Sequence, residues 1–269
     1  MKFFEGCTAL ITGASSGLGA EFARQLAPYA SRLLLVARRN DRLEALRSEL
    51  EALHPELVVL IYSADLAGED QRVAFVGWVR AQGVKVDFLV NNAGLGDHGE
   101  FLTSDWERVK SMLDVNISAL THLTHLLLPA MVEGGRAAIL NVSSVASFFP
   151  LPKMAVYSAT KAYVTSFSEA LAMELRPRGI SVTALCPGPV PTEFFEVAER
   201  GESVGKPHYD SLPAFVVTPA QAVHAGLMAV AGERARVIPG PLLAAAVLVA
   251  LVLPFAITRE AIRIFSKKL

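Results

Sequence analysis

The chain has 269 residues, with 25 Lys plus Arg against 26 Asp plus Glu and a formal charge of −1. That balance argues against nucleic acid as a partner, because such binders carry a basic face or stripe. Hydrophobic residues make up 52% and charged residues 19%, which excludes disorder for the bulk of the chain.

Met1–Gly6 lacks the long apolar stretch of a secretion signal and leads straight into a strand. Cys7 and Cys186, each inside an apolar run, are too few to staple a chain of this size, so a cytoplasmic, reducing location is expected. Thr8–Thr12, Arg32–Ala37, Val58–Ser63, Phe88–Asn91, Ala137–Val142 and Ser181–Cys186 read as short strands. Their near-uniform apolarity fits strands buried on both faces of a parallel sheet. Helical stretches lie between them, and Asp41-x-x-Glu44 and Ser104-x-x-Glu107 match the capping-box pattern of a helix start. Repeated β-α units with short connections predict an α/β fold: a Rossmann-type, doubly wound parallel sheet with helices on both faces. No linker or internal repeat divides residues 1–269, so a single domain is expected.

Ligands of such sheets bind beyond the carboxyl ends of the strands, which directs attention to the loops there. The first contains Gly13, Ser15, Ser16, Gly17, Leu18 and Gly19 between a strand and a helix. Its glycines permit a tight turn and close approach to a pyrophosphate, whose charge a helix N-terminus favours. In the second loop Ala37 stands where an NAD site would carry an acid, and Arg38 and Arg39 follow. Absence of the acid and presence of a guanidinium favour NADP(H) over NAD(H), although Ser16 adds no base of its own. Asp65, followed by Leu66, is a candidate acceptor for an adenine amine. Asn91, Asn92, Ala93 and Gly94 form the next loop, where the asparagines serve a ligand, a turn, or both.

Ser144 comes just after the fifth strand, and Tyr157 and Lys161 follow on one face of a helix predicted to run to Leu175. A free tyrosine titrates at about 10, too high for efficient acid–base catalysis near neutrality. A fixed ammonium one turn away is expected to lower that value, and Ser144 is placed to hold a substrate oxygen by a hydrogen bond.

With these motifs in order, the sequence resembles the short-chain dehydrogenases/reductases of about 250 residues. The likeness rests on Thr12–Gly19, Asp65, Asn91–Gly94, Asn116, Ser144, Tyr157, Lys161 and Pro187-Gly188-Pro189-Val190-Pro191-Thr192, and it covers residues 8–192. It implies that Tyr157 is the general acid in carbonyl reduction and that Lys161 binds the nicotinamide ribose and tunes the tyrosine. By the same resemblance, Ser144 polarises the carbonyl and Asn116 holds a water of a proton relay. Pro187, Gly188, Val190 and Thr192 would meet the nicotinamide end of the cofactor. A homodimer or homotetramer is the implied assembly.

His122 and His125 share a helix but lack the further ligands a metal needs, so no metal is expected and an interface or surface role is the reading. Residues 193–219 lose strand alternation and read as a lid, with Phe194 and Phe195 facing substrate. Phe148, Phe149, Leu151 and Met154 fall between Ser144 and Tyr157 and are placed to line the same pocket, which makes an apolar substrate the expectation.

From Val237 to Ile257 no side chain is polar. Leu242–Leu253, the part free of proline, is about 18 Å long as a helix, short of the roughly 30 Å of a bilayer core. Three readings of residues 237–269 stay open: a buried or interface helix, an interfacial anchor with basic flanks, and a span. An NADP(H)-dependent oxidoreductase (EC 1.1.1.-) acting on a 3-oxoacyl thioester, steroid or other hydrophobic ketone or aldehyde is the function expected. A non-catalytic nucleotide-binding scaffold, or an NAD-preferring dehydrogenase or epimerase, is the alternative.

Overall fold

The computed structural model describes residues 1–135, 137–198 and 213–265, apart from the side chains of residues 195, 213, 255, 261, 264 and 265. Strands β1 (Thr8–Thr12), β2 (Arg32–Ala37), β3 (Val58–Ser63), β4 (Phe88–Asn91), β5 (Ala137–Val142), β6 (Ile180–Leu185) and β7 (Arg236–Val237) form one sheet in the order β3-β2-β1-β4-β5-β6-β7. Every pair is parallel, and β1 is flanked by β2 on one side and β4 on the other. The chain reverses its winding there, which opens a crevice beyond the carboxyl ends of β1 and β4.

Alternation within the buried strands builds two cores. Ala9, Ile11, Leu33 and Leu35 face α1 (Gly17–Leu26), α2 (Asn40–Leu53) and α8 (Pro219–Ala231), through Phe22, Leu43 and Leu227 among others. Leu10, Leu34, Val36 and Ile139 face α3 (Glu69–Ala81), α5 (Leu120–Glu133) and α6 (Ala155–Leu175), through Phe75, Leu123 and Leu171. This is the doubly wound arrangement that the apolar runs predict. Trp106–Glu133 is long and apolar enough to cross a membrane. It is α4 (Trp106–Leu113) joined to α5 by a π-helical turn over Asp114–Ala119, and its inner residues Leu123, Leu127 and Met131 belong to the second core.

Some local expectations need correction. Strand β6 begins at Ile180, one residue early, and the two-residue β7 was too short to leave a pattern in the sequence. Neither expected capping box forms. Helix α2 starts at Asn40 without a side-chain cap, leaving Asp41 inside the first turn, where its charge complements the helix dipole. At α4 the cap is Asp105, which accepts from the Glu107 N–H at 3.0 Å, while Ser104 turns back to donate to the Glu100 carbonyl. The full capping box instead opens α8, where Thr218 and Gln221 satisfy each other's backbone N–H.

Candidate active site

The carboxyl ends of the central strands open into a cavity of about 950 Å³. At one end lies the glycine-rich turn. Gly13 has φ +66°, and a Cβ there would sit 2.8 Å from the Ala93 Cα; a Cβ on Gly19 would sit 2.2 Å from the Gly13 carbonyl oxygen. Side chains are therefore excluded at both positions. The turn is bolted to the loop after β4: Asn92 donates from Nδ2 to the Thr12 carbonyl at 2.9 Å, and the Thr12 hydroxyl accepts from the Asn92 and Ala93 N–H groups. Helix α1 then starts at Gly17 with no side-chain cap and no acid in its first turn. A backbone cradle at an uncapped helix start fits a dinucleotide pyrophosphate. Ser15, Ser16, Gly17, Leu18, Asp65, Leu66 and Gly94 share the cavity wall, with Asp65 also accepting from the Ala67 N–H.

Arg38 and Arg39 both line the cavity but differ in engagement. Arg39 reaches across the turn to the Ser16 hydroxyl at 2.7 Å and to Ser15, and it pairs with Glu193 at 3.1 Å. Arg42, which the sequence reading did not single out, pairs with the same carboxylate at 2.6 Å. Arg38 is exposed, and among the described residues its guanidinium makes no hydrogen bond or ion pair. Sequence position alone gives Arg39 no more weight than Arg38; the i, i+3 spacing of Arg39 and Arg42 across a helix start was the available signal.

At the other end, α6 presents Tyr157 and Lys161 one turn apart, both buried. The Tyr157 hydroxyl is hydrogen-bonded to Ser144, whose own hydroxyl also accepts from the Ala146 N–H at 3.1 Å. The Lys161 ammonium donates to the Val142 carbonyl at 2.8 Å and stands 5.8 Å from the centre of the Tyr157 ring. Asn116, in the π-helical turn, accepts from the Leu95 N–H at 2.8 Å and donates to Thr160 at 3.0 Å. Gly94 ties the group together, because a Cβ there would meet both Asn116 Oδ1 and Lys161 Nζ at 3.4 Å. Insertion of a π turn into a helix is a recurrent feature of functional sites.

Burial, not the neighbouring ammonium, dominates the titration of this pair. It pushes the Tyr157 phenol up to about 12, against a lowering by the Ser144 hydrogen bond, and holds Lys161 down to about 8. The expectation that the nearby Lys161 ammonium lowers the phenol is therefore not met: burial outweighs it. Each group is desolvated enough that its neutral form gains.

The segment after β6 covers the site. The Pro187 carbonyl accepts from the Val145 N–H at 2.9 Å, and Thr192 faces Gly17 across the cleft, with Gly188 and Val190 in the wall between. Helix α7 (Glu193–Ala198) follows, placing the Phe194 ring 5.5 Å from that of Tyr157. Phe149, Leu151 and Met154 line the same space. Phe148 does not; its ring lies against Phe149 and beneath the Arg236 guanidinium. The Phe195 side chain and residues 199–212 of the expected lid lie outside the described residues. Among the described residues no cluster of three His, Cys, Asp or Glu side chains is placed to hold a metal, and His122 accepts a hydrogen bond from Arg72.

The apolar tail enters the site too. Helix α9 (Pro241–Val252) sends Leu243 against Gly188, where a Cβ would be only 2.5 Å from the leucine methyl, and Leu243 and Val247 are buried. Thr258 and Ile262 of α10 (Phe255–Phe265) line the same cavity. One face of the tail is therefore a wall of the cleft.

The model of the short chain dehydrogenase family matches residues 7–203. The chain belongs to the short-chain dehydrogenase/reductase family. An uncharacterised oxidoreductase of Myxococcus xanthus is 34% identical over 89% of this chain and 95% of its own length. Sulfoacetaldehyde reductase of Chromohalobacter salexigens is 39% identical over 71% of this chain and 76% of its own. Human very-long-chain 3-oxoacyl-CoA reductase is 32% identical over 74% of this chain, a match that spans 64% of that longer protein. Among solved structures, a short-chain dehydrogenase from Sphingobium yanoikuyae in complex with NADPH aligns at 33% identity with a TM-score of 0.78, over 91% of this chain and 92% of its own. A family member from Burkholderia phymatum in complex with NAD aligns at 28% identity with the same TM-score, over 92% and 93%. This short-chain dehydrogenase/reductase is an oxidoreductase with a nicotinamide-nucleotide fold.

Proposed function

We propose that this oxidoreductase uses NADP(H) to interconvert a hydrophobic carbonyl compound (a 3-oxoacyl thioester, a steroid or another ketone or aldehyde) and the corresponding alcohol. The observation that carries the reading is the convergence of Ser144, Tyr157 and Lys161 on a cavity whose other end is the Gly13–Gly19 cradle. The cofactor, when bound, supplies the hydride that reaches the carbonyl carbon. Tyr157 gives its phenolic proton to the carbonyl oxygen, and the Ser144 hydroxyl steadies that oxygen by a hydrogen bond. Lys161 holds positive charge beside the phenol as it loses its proton, and Asn116 fixes the backbone of Leu95 next to it. A scaffold without turnover has no need of this set.

NADP(H) is favoured over NAD(H) by Arg38 and Arg39 in the cavity wall and by the lack of an acid at Ala37. The apolar lining contributed by Phe149, Met154 and Phe194 favours a hydrophobic substrate. Residues 1–269 act as a single domain in this reading, located in the cytoplasm and assembled as a homodimer or homotetramer. Peripheral membrane contact is supported by Leu248, Val249 and Val252, exposed at 64%, 58% and 75% on the outer side of α9, and by exposed Arg259 on the following α10, where Arg263 is paired with Glu260. Sedimentation with anionic vesicles tests that contact.

The experiment that tests the chemistry is NADPH oxidation measured against ketones, aldehydes and acyl thioesters, with Tyr157→Phe as control. Turnover that survives in the variant overturns the mechanism, and a wild-type protein that binds NADPH yet reduces nothing supports the scaffold.

A further inference from the structure

The tail that lines the cleft does so in a pattern that specifies a ligand shape. Along α9, Leu243, Ala246, Val247 and Ala250 face the cavity. Their spacing of i, i+3, i+4 and i+7 is one continuous helical face. From Leu243 to Ala250 this face runs about 10 Å along the helix axis. Its side chains change along the way. Leu243 and Val247 are buried, with Leu243 packed against Gly188, whereas Ala246 is exposed, Ala250 is half-buried, and both present only methyl groups.

The far end is defined by a hydrogen bond. The Thr258 hydroxyl of α10 donates to the Ala250 carbonyl at 3.2 Å, holding the α9–α10 corner, and Thr258 and Ile262 close the cavity there. The near end begins at Phe194, whose ring touches Tyr157. No ionisable side chain belongs to this stretch of α9.

We propose that α9 and the start of α10 form a chain-binding arm that takes the unbranched acyl or alkyl tail of the substrate, with Ala246 and Ala250 setting its width. This rests on the reading of Ser144, Tyr157 and Lys161 as a carbonyl-reducing site, and it adds the substrate class to that reading. The apolar face from Leu243 to Ala250 lines one cavity with Tyr157 and offers a flexible chain a surface along the helix.

The test compares kcat/KM, with NADPH, for the N-acetylcysteamine thioesters of acetoacetate and 3-oxododecanoate in the wild type, Ala250→Phe and Leu248→Ala. The wild type is expected to favour the long chain by at least about tenfold, the scale on which apolar pockets discriminate methylenes. Ala250→Phe should lower the long-to-short ratio by at least about tenfold, and Leu248→Ala, on the outer face, should move it less than about twofold. A ratio unchanged in Ala250→Phe overturns the arm, as does a wild type that prefers the short thioester or androstenedione over the long chain.

Calorimetric titration with the dodecanoyl thioester, which lacks the reducible ketone, separates this inference from the reading it rests on. Binding that Ala250→Phe weakens about tenfold, in a protein that reduces neither 3-oxo compound, keeps the arm and removes the reductase. Reduction of acetoacetate with no dodecanoyl binding keeps the reductase and removes the arm.

Discussion

The Glu193 carboxylate lies 3.1 Å from the Arg39 guanidinium, so the first residue of α7 is clasped to the loop expected to read the cofactor ribose. Arg42 closes the same clasp at 2.6 Å, and the two guanidinium groups hold the Glu193 carboxyl below its usual range. Arg39 also holds Ser16 at 2.7 Å. A phosphate on the ribose would draw on the same guanidinium that Glu193 now occupies.

Glu193→Gln is therefore expected to tighten NADPH binding a few-fold and to leave NADH binding less changed. The gain stays modest because both partners are about two-fifths exposed, where solvent screens the pair. Arg39→Ala should act in the opposite direction. Fluorescence titrations of the two cofactors read the effect, and an unchanged NADPH-to-NADH ratio in both variants would sink the assignment.

Arg38 offers a second guanidinium at the same end of the cavity, exposed and not engaged by any described side chain. Arg38→Asp removes that guanidinium and puts an acid directly after Ala37, the position at which NAD sites carry one. The expected result is a loss of NADPH affinity of at least about tenfold, about 1.4 kcal/mol, with NADH affinity held or improved. If NADPH binding is unaffected, the phosphate is read by Arg39 and Arg42 alone.

Tyr157→Phe removes the proton donor while keeping the ring that packs on Phe194. Reduction should fall by roughly 10²–10⁴-fold, the range for a positioned acid. Cofactor affinity should change little, because Lys161 keeps its bond to the Val142 carbonyl. Single-turnover rates together with NADPH binding distinguish this from a folding defect.

The titration of the pair gives the pH dependence its sign. Burial keeps the Tyr157 phenol protonated up to about 12, so the acid form is present throughout the working range. Lys161, held down to about 8 by the same burial, carries its charge below that pH and loses it above. The rate of carbonyl reduction, as kcat/KM, is therefore expected to be level on the acid side and to fall as pH rises through about 8. A profile that stays level to pH 10 would show that the ammonium retains its ordinary affinity for the proton.

Much of this site is legible in the sequence because its requirements are local. Gly13 and Gly19 have to be glycine since a Cβ would strike Ala93 or the Gly13 carbonyl, and such glycines leave a fixed spacing. Tyr157 and Lys161 are one helical turn apart, so their juxtaposition follows from the helix itself. The fold is legible for a similar reason, as strands buried on both faces must be apolar throughout. What the sequence hides are contacts between distant segments: Arg39 with Glu193, Arg108 with Asp97, and Leu243 with Gly188. The tail shows the limit most clearly. Its apolar run is compatible with a wall, an anchor or a span, and only the packing of Leu243 and Val247 shows that one face belongs to the cleft. Capping fails at a finer scale, because Ser104 and Asp105 compete for one helix start and the pattern does not say which carboxylate or hydroxyl reaches the N–H.

Arg108 supplies the last prediction, since it is the anchor of α7. Its guanidinium pairs with the buried Asp97 at 2.9 Å and donates to the carbonyls of Val197 and Ala198 at 2.6 and 2.9 Å, so one side chain satisfies the helix end that follows Phe194. Arg108→Ala leaves those carbonyls and the Asp97 carboxylate without that partner, at a cost of about 1–3 kcal/mol. If α7 carries the apolar wall over Tyr157, KM for a hydrophobic substrate should rise several-fold while the NADPH affinity stays close to wild type. Arg108→Lys should recover only part of the loss, because an ammonium cannot bridge three acceptors with a planar fork. Thermal unfolding alongside KM decides the matter: a lower Tm with an unchanged KM would mean that Arg108 serves the fold and that α7 does not hold the substrate.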